Sequence, residues 1–230
     1  MLPNPYETNG LVFWTEPEIK LRRAVEETVV AALTHNLKTQ NRGFEVIQVE
    51  APVLTPRAFV NSEYSDESRY VTHDDLMLRP ETTMGSYAAA KALLNPHNDR
   101  KVKVPLVVWQ HGKSFRREQD QPTKFMRLKE FYQLEFQILY SHTTAKDYSV
   151  DLIPEVRRVL SLFAGPCRVE PSDRVPSYAE WTQDIVCEEN DMEICSMSLR
   201  NDFDLRNPLC HVLEVAIGTD RVVYNALRRE

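Results

Sequence analysis

Glycine is scarce in this 230-residue chain, with only 6 present, and no segment matches G-x-x-x-x-G-K-[ST] or G-x-G-x-x-G. If a nucleotide binds, side chains rather than a glycine-rich loop must hold its phosphates. Long apolar runs are also missing. Val29 to Leu33 and Pro105 to Trp109 are among the longest, far short of the roughly 20 residues that span a bilayer. The start, Met1-Leu2-Pro3-Asn4-Pro5, has neither the charged n-region nor the apolar h-region of a signal peptide. The expectation is a cytoplasmic protein with no membrane partner. Cysteines 167, 187, 195 and 210 include no C-x-x-C pair that would open a zinc or redox site, and they read as buried thiols.

What remains is the composition of a folded protein. With 42% apolar and 27% charged residues and a mean hydropathy of −0.44, the chain reads as one domain over residues 1–230. A net charge of −6 argues against a protein that coats a long nucleic acid. Its distribution is uneven. Lys113 to Lys129 holds six basic residues (Lys113, Arg116, Arg117, Lys124, Arg127 and Lys129) against Glu118 and Asp120, which leaves −10 on the rest. A concentrated positive spot suits a compact polyanion, such as a nucleoside triphosphate or one end of an RNA. Taken alone, such a cluster reads first as a solvated charged loop.

The pattern of elements points to an α/β architecture. Thr15 and Glu18 form a capping box, Pro17 falls in the first turn, and Leu21, Val25, Val29, Ala32 and Leu33 repeat at helical spacing, predicting a helix over 16–38. Strands are expected at Phe44–Glu50, Met77–Arg79 and Val102–Trp109, a polar loop at 61–68, and a helix from Glu81 to Leu94. From Met126 to Tyr140 the alternation is sustained. Leu128, Tyr132, Leu134, Phe136, Ile138 and Tyr140 fall on one face, and Arg127, Lys129, Phe131, Gln133, Glu135 and Gln137 on the other. A long strand with a wet face belongs in an antiparallel sheet. A helix over 143–163, strands at Ala179–Val186, Glu193–Leu199 and Cys210–Ile217, and a short helix carrying Arg221 complete a mostly antiparallel sheet backed by helices.

Several side chains on this scheme could carry chemistry. Arg116 and Glu118 share one side of a strand, as do Phe131 and Glu135, and Glu214 precedes Arg221 on a face shared with Val212, Ala216 and Gly218. Singly, these read as a surface ion pair, a core ring and a solvated carboxylate. Together they join phosphate-binding arginines, an aromatic platform for a base, and carboxylates able to hold Mg²⁺ or an ammonium group.

At these residues the chain resembles the class II aminoacyl-tRNA synthetases, and among them the glycyl enzymes. Gly112-Lys113-Ser114-Phe115-Arg116-Arg117-Glu118, a loop, and Arg127-Leu128-Lys129-Glu130-Phe131-Tyr132-Gln133-Leu134-Glu135 look like motif 2. Leu78-Arg79-Pro80-Glu81-Thr82 resembles the glycyl L-R-P-E-T segment. Tyr178-Ala179 with Thr182 and Asp184-Ile185 is similar to Y-A-K-x-T-x-D-I, and Arg200-Asn201-Asp202-Phe203-Asp204-Leu205 is similar to R-T-D-F-D-L. His211-Val212-Leu213-Glu214 with Gly218-Thr219-Asp220-Arg221 looks like motif 3, and the first helix with its strand and Pro52 looks like motif 1.

The resemblance implies the class II catalytic core and a set of roles. Arg116 would hold the α-phosphate and the amino-acid carboxylate. Phe131 would stack on adenine opposite Arg221, Glu118 would accept from the adenine amino group, and Arg127 would grip the outer phosphates. Glu214 would place Mg²⁺. Arg79, Glu81, Glu135, Glu193 and Ala216 would surround the amino acid, the glutamates facing its ammonium group. ATP and Mg²⁺ are the implied cofactors, a small amino acid the substrate, and a tRNA acceptor end or a carrier protein the acceptor. The motif 1 elements imply a homodimer.

Two departures stand out. Glu214-Val215-Ala216 replaces the glycyl Glu-Pro-Ser, so a hydroxyl is missing beside the amino acid. The chain also ends nine residues after Arg221, with no counterpart of an anticodon-binding domain. Three functions stay open: activation of a small amino acid, a catalytically silent paralogue that binds nucleic acid or regulates a partner enzyme, and an unrelated small-molecule-binding domain.

Overall fold

The computed structural model describes residues 10–40, 43–60, 64–117, 126–141, 143–144, 147–203 and 210–229. Seven strands form the main sheet: β1 (Glu45–Gln48), β5 (Leu106–Phe115), β6 (Glu130–Ser141), β7 (Cys167–Pro171), β8 (Ala179–Cys187), β9 (Met192–Arg200) and β10 (Cys210–Gly218). They lie in the order β1-β5-β6-β10-β9-β8-β7, antiparallel throughout except for β1 beside β5. A second, three-stranded sheet joins β2 (Leu54–Pro56), β3 (Tyr70–Val71) and β4 (Leu76–Leu78).

One face of the main sheet is covered by α1 (Glu16–His35), α3 (Ser149–Ala164) and α4 (Thr219–Leu227), which pack on one another. The Thr15–Glu18 capping box opens α1. The Thr15 backbone N–H donates to the Glu18 carboxylate at 2.8 Å. Val25, Val29 and Leu33 then recur every four residues on the buried side. They meet Leu152, Val156 and Leu160 of α3 and the inward residues Leu134, Phe136, Ile138, Leu213, Val215 and Ile217. Each large apolar side chain taken fully from water contributes about 1.5–3 kcal/mol, so this face is the main store of stability. On the opposite face α2 (Thr83–Leu94) covers only one end of the sheet. There Tyr87 and Ala90 pack on Leu106, Val108, Leu139 and Val212.

Several expected boundaries move. The strand placed at Val102–Trp109 begins at Leu106, after the cis Val104–Pro105 bond, and runs on to Phe115. The central strand starts at Glu130 rather than Met126, and Leu128 is buried outside it. Its polar face is not wet: Gln133, Glu135 and Gln137 are all buried, with the Thr82 and Thr83 hydroxyls on Glu135 and the Gln137 amide donating to Glu214. The first α-helix ends at His35 and loosens into a π turn over Asn36–Gln40. Pro80 to Thr82 form a turn, so α2 starts at Thr83. Asp147 accepts from the Ser149 backbone N–H at 2.9 Å and its hydroxyl at 2.6 Å, which sets the start of α3 there rather than at Thr143. Strands β2, β3 and β7 were not expected. Among the described residues no helix is long and apolar enough to cross a membrane.

Candidate active site

Where α2 stops short, the sheet face opens into a cleft of about 900 Å³. Its floor follows from strand register. Across β6, β10, β9 and β8 the rows are Gln137–Glu214–Ser198–Thr182, then Glu135–Ala216–Ser196–Asp184, with Gln133 facing Gly218 one step further along. Phe131, next along the same face of β6, lies towards the open end.

At the α2 end three carboxylates share one buried guanidinium. Arg200 Nη1 donates to Glu214 at 2.8 Å, and its Nε and Nη2 grip both oxygens of Asp202 at 3.0 and 2.7 Å. Its face lies 3.8 Å from the Tyr178 ring centroid. Glu214 also accepts from Thr83 Oγ1 at 2.8 Å and Gln137 Nε2 at 2.6 Å. Glu135 accepts from the hydroxyls of Thr82 and Thr83. Glu81 is reached by Tyr64, whose hydroxyl donates to it at 2.8 Å, while Arg200 Nη2 stands 3.7 Å from its other oxygen.

Burial, then repulsion from Glu214 and Glu81, raises the Glu135 carboxyl to about 8. Burial likewise raises Glu81, against the pull of Arg200. Arg200 itself is held firmly charged: the Glu214 and Glu81 carboxylates and its bond to Asp202 outweigh the cost of burying it. The buried Glu81 Oε1 and Gln133 Oε1, on two residues that line the cleft, have no hydrogen-bond partner among the described residues. Such acceptors suit a ligand that brings N–H groups.

Cations gather at the other end. Arg116 lies just past β5 and donates to the Pro80 carbonyl at 3.1 Å and the Tyr64 hydroxyl at 3.0 Å, with its guanidinium 5.3 Å from the Phe131 ring centroid. Arg221, on the first turn of α4, donates to the Glu193 carbonyl at 2.8 Å and stands 3.7 Å from its carboxylate. Arg127 is exposed and lines the same cleft.

The fold thus brings together Arg116, Arg127, Phe131, Arg221, Glu81, Glu135, Glu193, Glu214 and Ala216 around one cleft. Two placements differ from the roles first assigned. Arg79 does not line the cleft. Its guanidinium donates to the Lys113 and Ala51 carbonyls, each at 2.8 Å, and to Gln110 at 3.1 Å, which pins the segment before β2 onto β5. Glu193 stands with Arg221 and is half exposed, apart from the buried glutamates. Glu214 Oε2 is already engaged by Arg200, Thr83 and Gln137, so Mg²⁺, expected at this residue, would be held through its other oxygen. Among the described residues no group of acidic, histidine or cysteine side chains is arranged for a metal. Glu118 lies outside the described residues. Arg200, Asp202 and Tyr64 carry much of the site yet had been assigned no role. The signal for Arg200 and Asp202 was their place in the Arg200–Leu205 segment, whereas Tyr64 in its polar loop offered none.

A family model described as tRNA synthetase class II core domain (G, H, P, S and T) matches residues 64–227. Glycine–tRNA ligase of Mycoplasma mycoides subsp. mycoides SC is 27% identical over 185 residues, covering 66% of this chain and 40% of the relative. The crystal structure of prolyl-tRNA synthetase from Cryptosporidium parvum, complexed with halofuginone and AMPPNP, is similar with a TM-score of 0.74 at 13% identity, over 97% of this chain and 48% of that one. This chain therefore spans less than half the length of each. The similarity to the prolyl enzyme is one of fold.

Proposed function

The chain belongs to the class II tRNA synthetase core-domain family (G, H, P, S and T), and on that premise we propose that it activates a small amino acid, glycine first, with ATP. The product is an aminoacyl-adenylate whose acyl group passes to a tRNA acceptor end or to a carrier protein. One observation carries this reading. A single cleft joins an aromatic platform flanked by arginines to a buried pocket of carboxylates. Phe131 and Glu135 are four residues apart on one strand, about 13 Å at ~3.3 Å per residue. That separation suits a purine on one and an ammonium group at the other.

In this reading the purine lies between Phe131 and Arg221, Glu118 reads its amino group, and Arg127 meets the outer phosphates. Mg²⁺ enters with the triphosphate as part of the substrate. Arg116, beside Phe131 and tied to Tyr64 and Pro80, neutralises the α-phosphate. An oxygen of the amino-acid carboxylate bonds to the α-phosphorus as the bond to pyrophosphate breaks, and no protein nucleophile is needed. The protein contributes position and charge. Glu81, Glu135 and Glu214 hold the ammonium group, with Arg200 keeping the pocket from excess negative charge. Attack by an acceptor nucleophile on the acyl carbon then expels AMP. We place the protein in the cytoplasm as a homodimer. Supporting the dimer are a groove between α1 and the β1–β5 edge of the sheet, beside Val30 and Trp109, and the exposed apolar residues Leu54, Phe59 and Val71.

The test is ATP–pyrophosphate exchange with each of the twenty amino acids and Mg²⁺. Exchange with glycine or another small amino acid supports the reading, and Arg116→Ala should then lower the rate by on the order of 10²–10³. Exchange with none at high protein concentration would overturn it in favour of a silent paralogue.

A further inference from the structure

Tyr132 lies between Phe131 and Gln133, with its side chain on the helical side of the sheet. Both its main-chain groups are held by the first turn of α4. Its N–H donates to Asp220 Oδ2 at 2.8 Å, and its carbonyl accepts from Thr219 Oγ1 at 3.2 Å. These two residues sit between Gly218, which faces Gln133 across the sheet, and Arg221. The clamp therefore joins the strand residue beside the aromatic platform to the helix residue beside the opposing arginine.

The clamp is braced from α1 by side chains one turn apart. Arg22 lies 3.4 Å from Asp220 Oδ1 and stacks 3.8 Å from the Tyr132 ring centroid. Glu26 bonds to His111 at 2.8 Å, and the other nitrogen of that ring meets Thr219 Oγ1 at 3.1 Å. Asp220 is buried, and a carboxylate taken from water costs several kcal/mol unless it is well partnered. Packing alone would be served by an apolar residue, whereas a charge-assisted bond to one chosen backbone N–H fixes a distance.

We infer that Asp220, with Thr219, is a positioning residue that sets the gap between Phe131 and Arg221 through the Tyr132 main chain, and so governs the affinity for a purine nucleotide. This rests on the activation reading above. Because Glu81, Glu135 and Glu214 are held by groups other than Thr219 and Asp220, the clamp acts directly on ATP and not on the amino-acid seat.

The experiment compares Asp220→Asn and Thr219→Val with the unaltered protein, using direct ATP binding by calorimetry and the separate KM values for ATP and amino acid in exchange. Each variant is first checked for folding by thermal denaturation, and Thr219→Val, nearly isosteric, carries the test if Asp220→Asn does not fold. We expect the Kd and KM for ATP to rise at least fivefold, with the amino-acid KM within twofold. Unchanged ATP affinity in a folded variant, or equal rises in both KM values, overturns the inference. The two failures are distinct. An unaltered protein that binds ATP but exchanges no amino acid sinks the activation reading while the ATP Kd still tests the clamp, and one that binds no ATP sinks both.

Discussion

Arg200 Nη1 lies 2.8 Å from the Glu214 carboxylate, and neither group is exposed to solvent. Such a pair adds little net stability while intact, since desolvation offsets most of the attraction, but breaking it leaves a buried charge alone. Arg200→Met should therefore destabilise the fold by roughly 3–5 kcal/mol, read by urea denaturation. Arg200→Lys should recover only part of this, because an ammonium group lacks the fork that grips Asp202. A loss below about 1 kcal/mol, the usual worth of an exposed pair, would contradict this account.

The raised Glu135 carboxyl makes stability depend on pH. An unperturbed glutamate titrates at 4.5 and this one at about 8, so across that window the folded state holds a proton that the unfolded chain has given up. The contribution is complete below 4.5 and is lost as pH rises through 8. Glu135→Gln should flatten the fall in urea midpoint between pH 5 and pH 8. Arrival of an ammonium group favours the ionised form, so glycine binding at pH 7 should release protons. Calorimetry in buffers of different ionisation enthalpy measures the release, and the Gln variant should show less of it.

Replacing Phe131 with alanine removes the platform at the open end of the cleft. Base–aromatic stacking is worth about 1–3 kcal/mol. The KM for ATP should rise on the order of tenfold, with the KM for amino acid little altered. A Trp at the same position should retain most of the affinity.

Gly85 shows two effects of opposite sign. Within a helix, glycine to alanine normally gains about 1 kcal/mol. Here a Cβ would overlap the Ala51 methyl, and overpacking costs about 1–3 kcal/mol. The expected result of Gly85→Ala is a net loss of stability, seen as a lower denaturation midpoint, with reduced exchange activity because α2 begins at Thr83, a ligand of both Glu135 and Glu214.

Ala216 faces Glu135 on one side and Ser196 on the other, a methyl in a polar row. The room left by a hydroxyl should let alanine or serine be activated within about 1–3 kcal/mol of glycine. Ala216→Ser should widen that difference in comparative exchange assays.

How far the chain could be read in advance follows from the range of each signal. Period-two alternation is local, so Phe131, Glu135 and the share of the cleft floor that β6 supplies were legible in its own sequence, as was the Thr15–Glu18 cap that starts α1. Arg200 was harder. An arginine on a strand ordinarily points to water, and its burial depends on Glu214, Asp202 and Tyr178, which only the folded sheet assembles around it. Arg79 resembled a site residue because it adjoins Glu81, but the carbonyls that claim it lie some thirty residues away in either direction along the chain. Strand β7 escaped notice because its mixed burial and terminal Pro171 give no clean period.

The Tyr64 hydroxyl accepts from Arg116 and donates to Glu81, so one proton-bearing oxygen joins the two halves of the cleft. On the proposed reading, a nucleotide drawing Arg116 toward its phosphate disturbs the same oxygen that steadies the seat for ammonium, and an amino acid bound to Glu81 disturbs it from the other side. The substrates would then arrive as correspondents rather than strangers: each would alter the other's residence time, and the order of mixing would leave its mark on the first turnover.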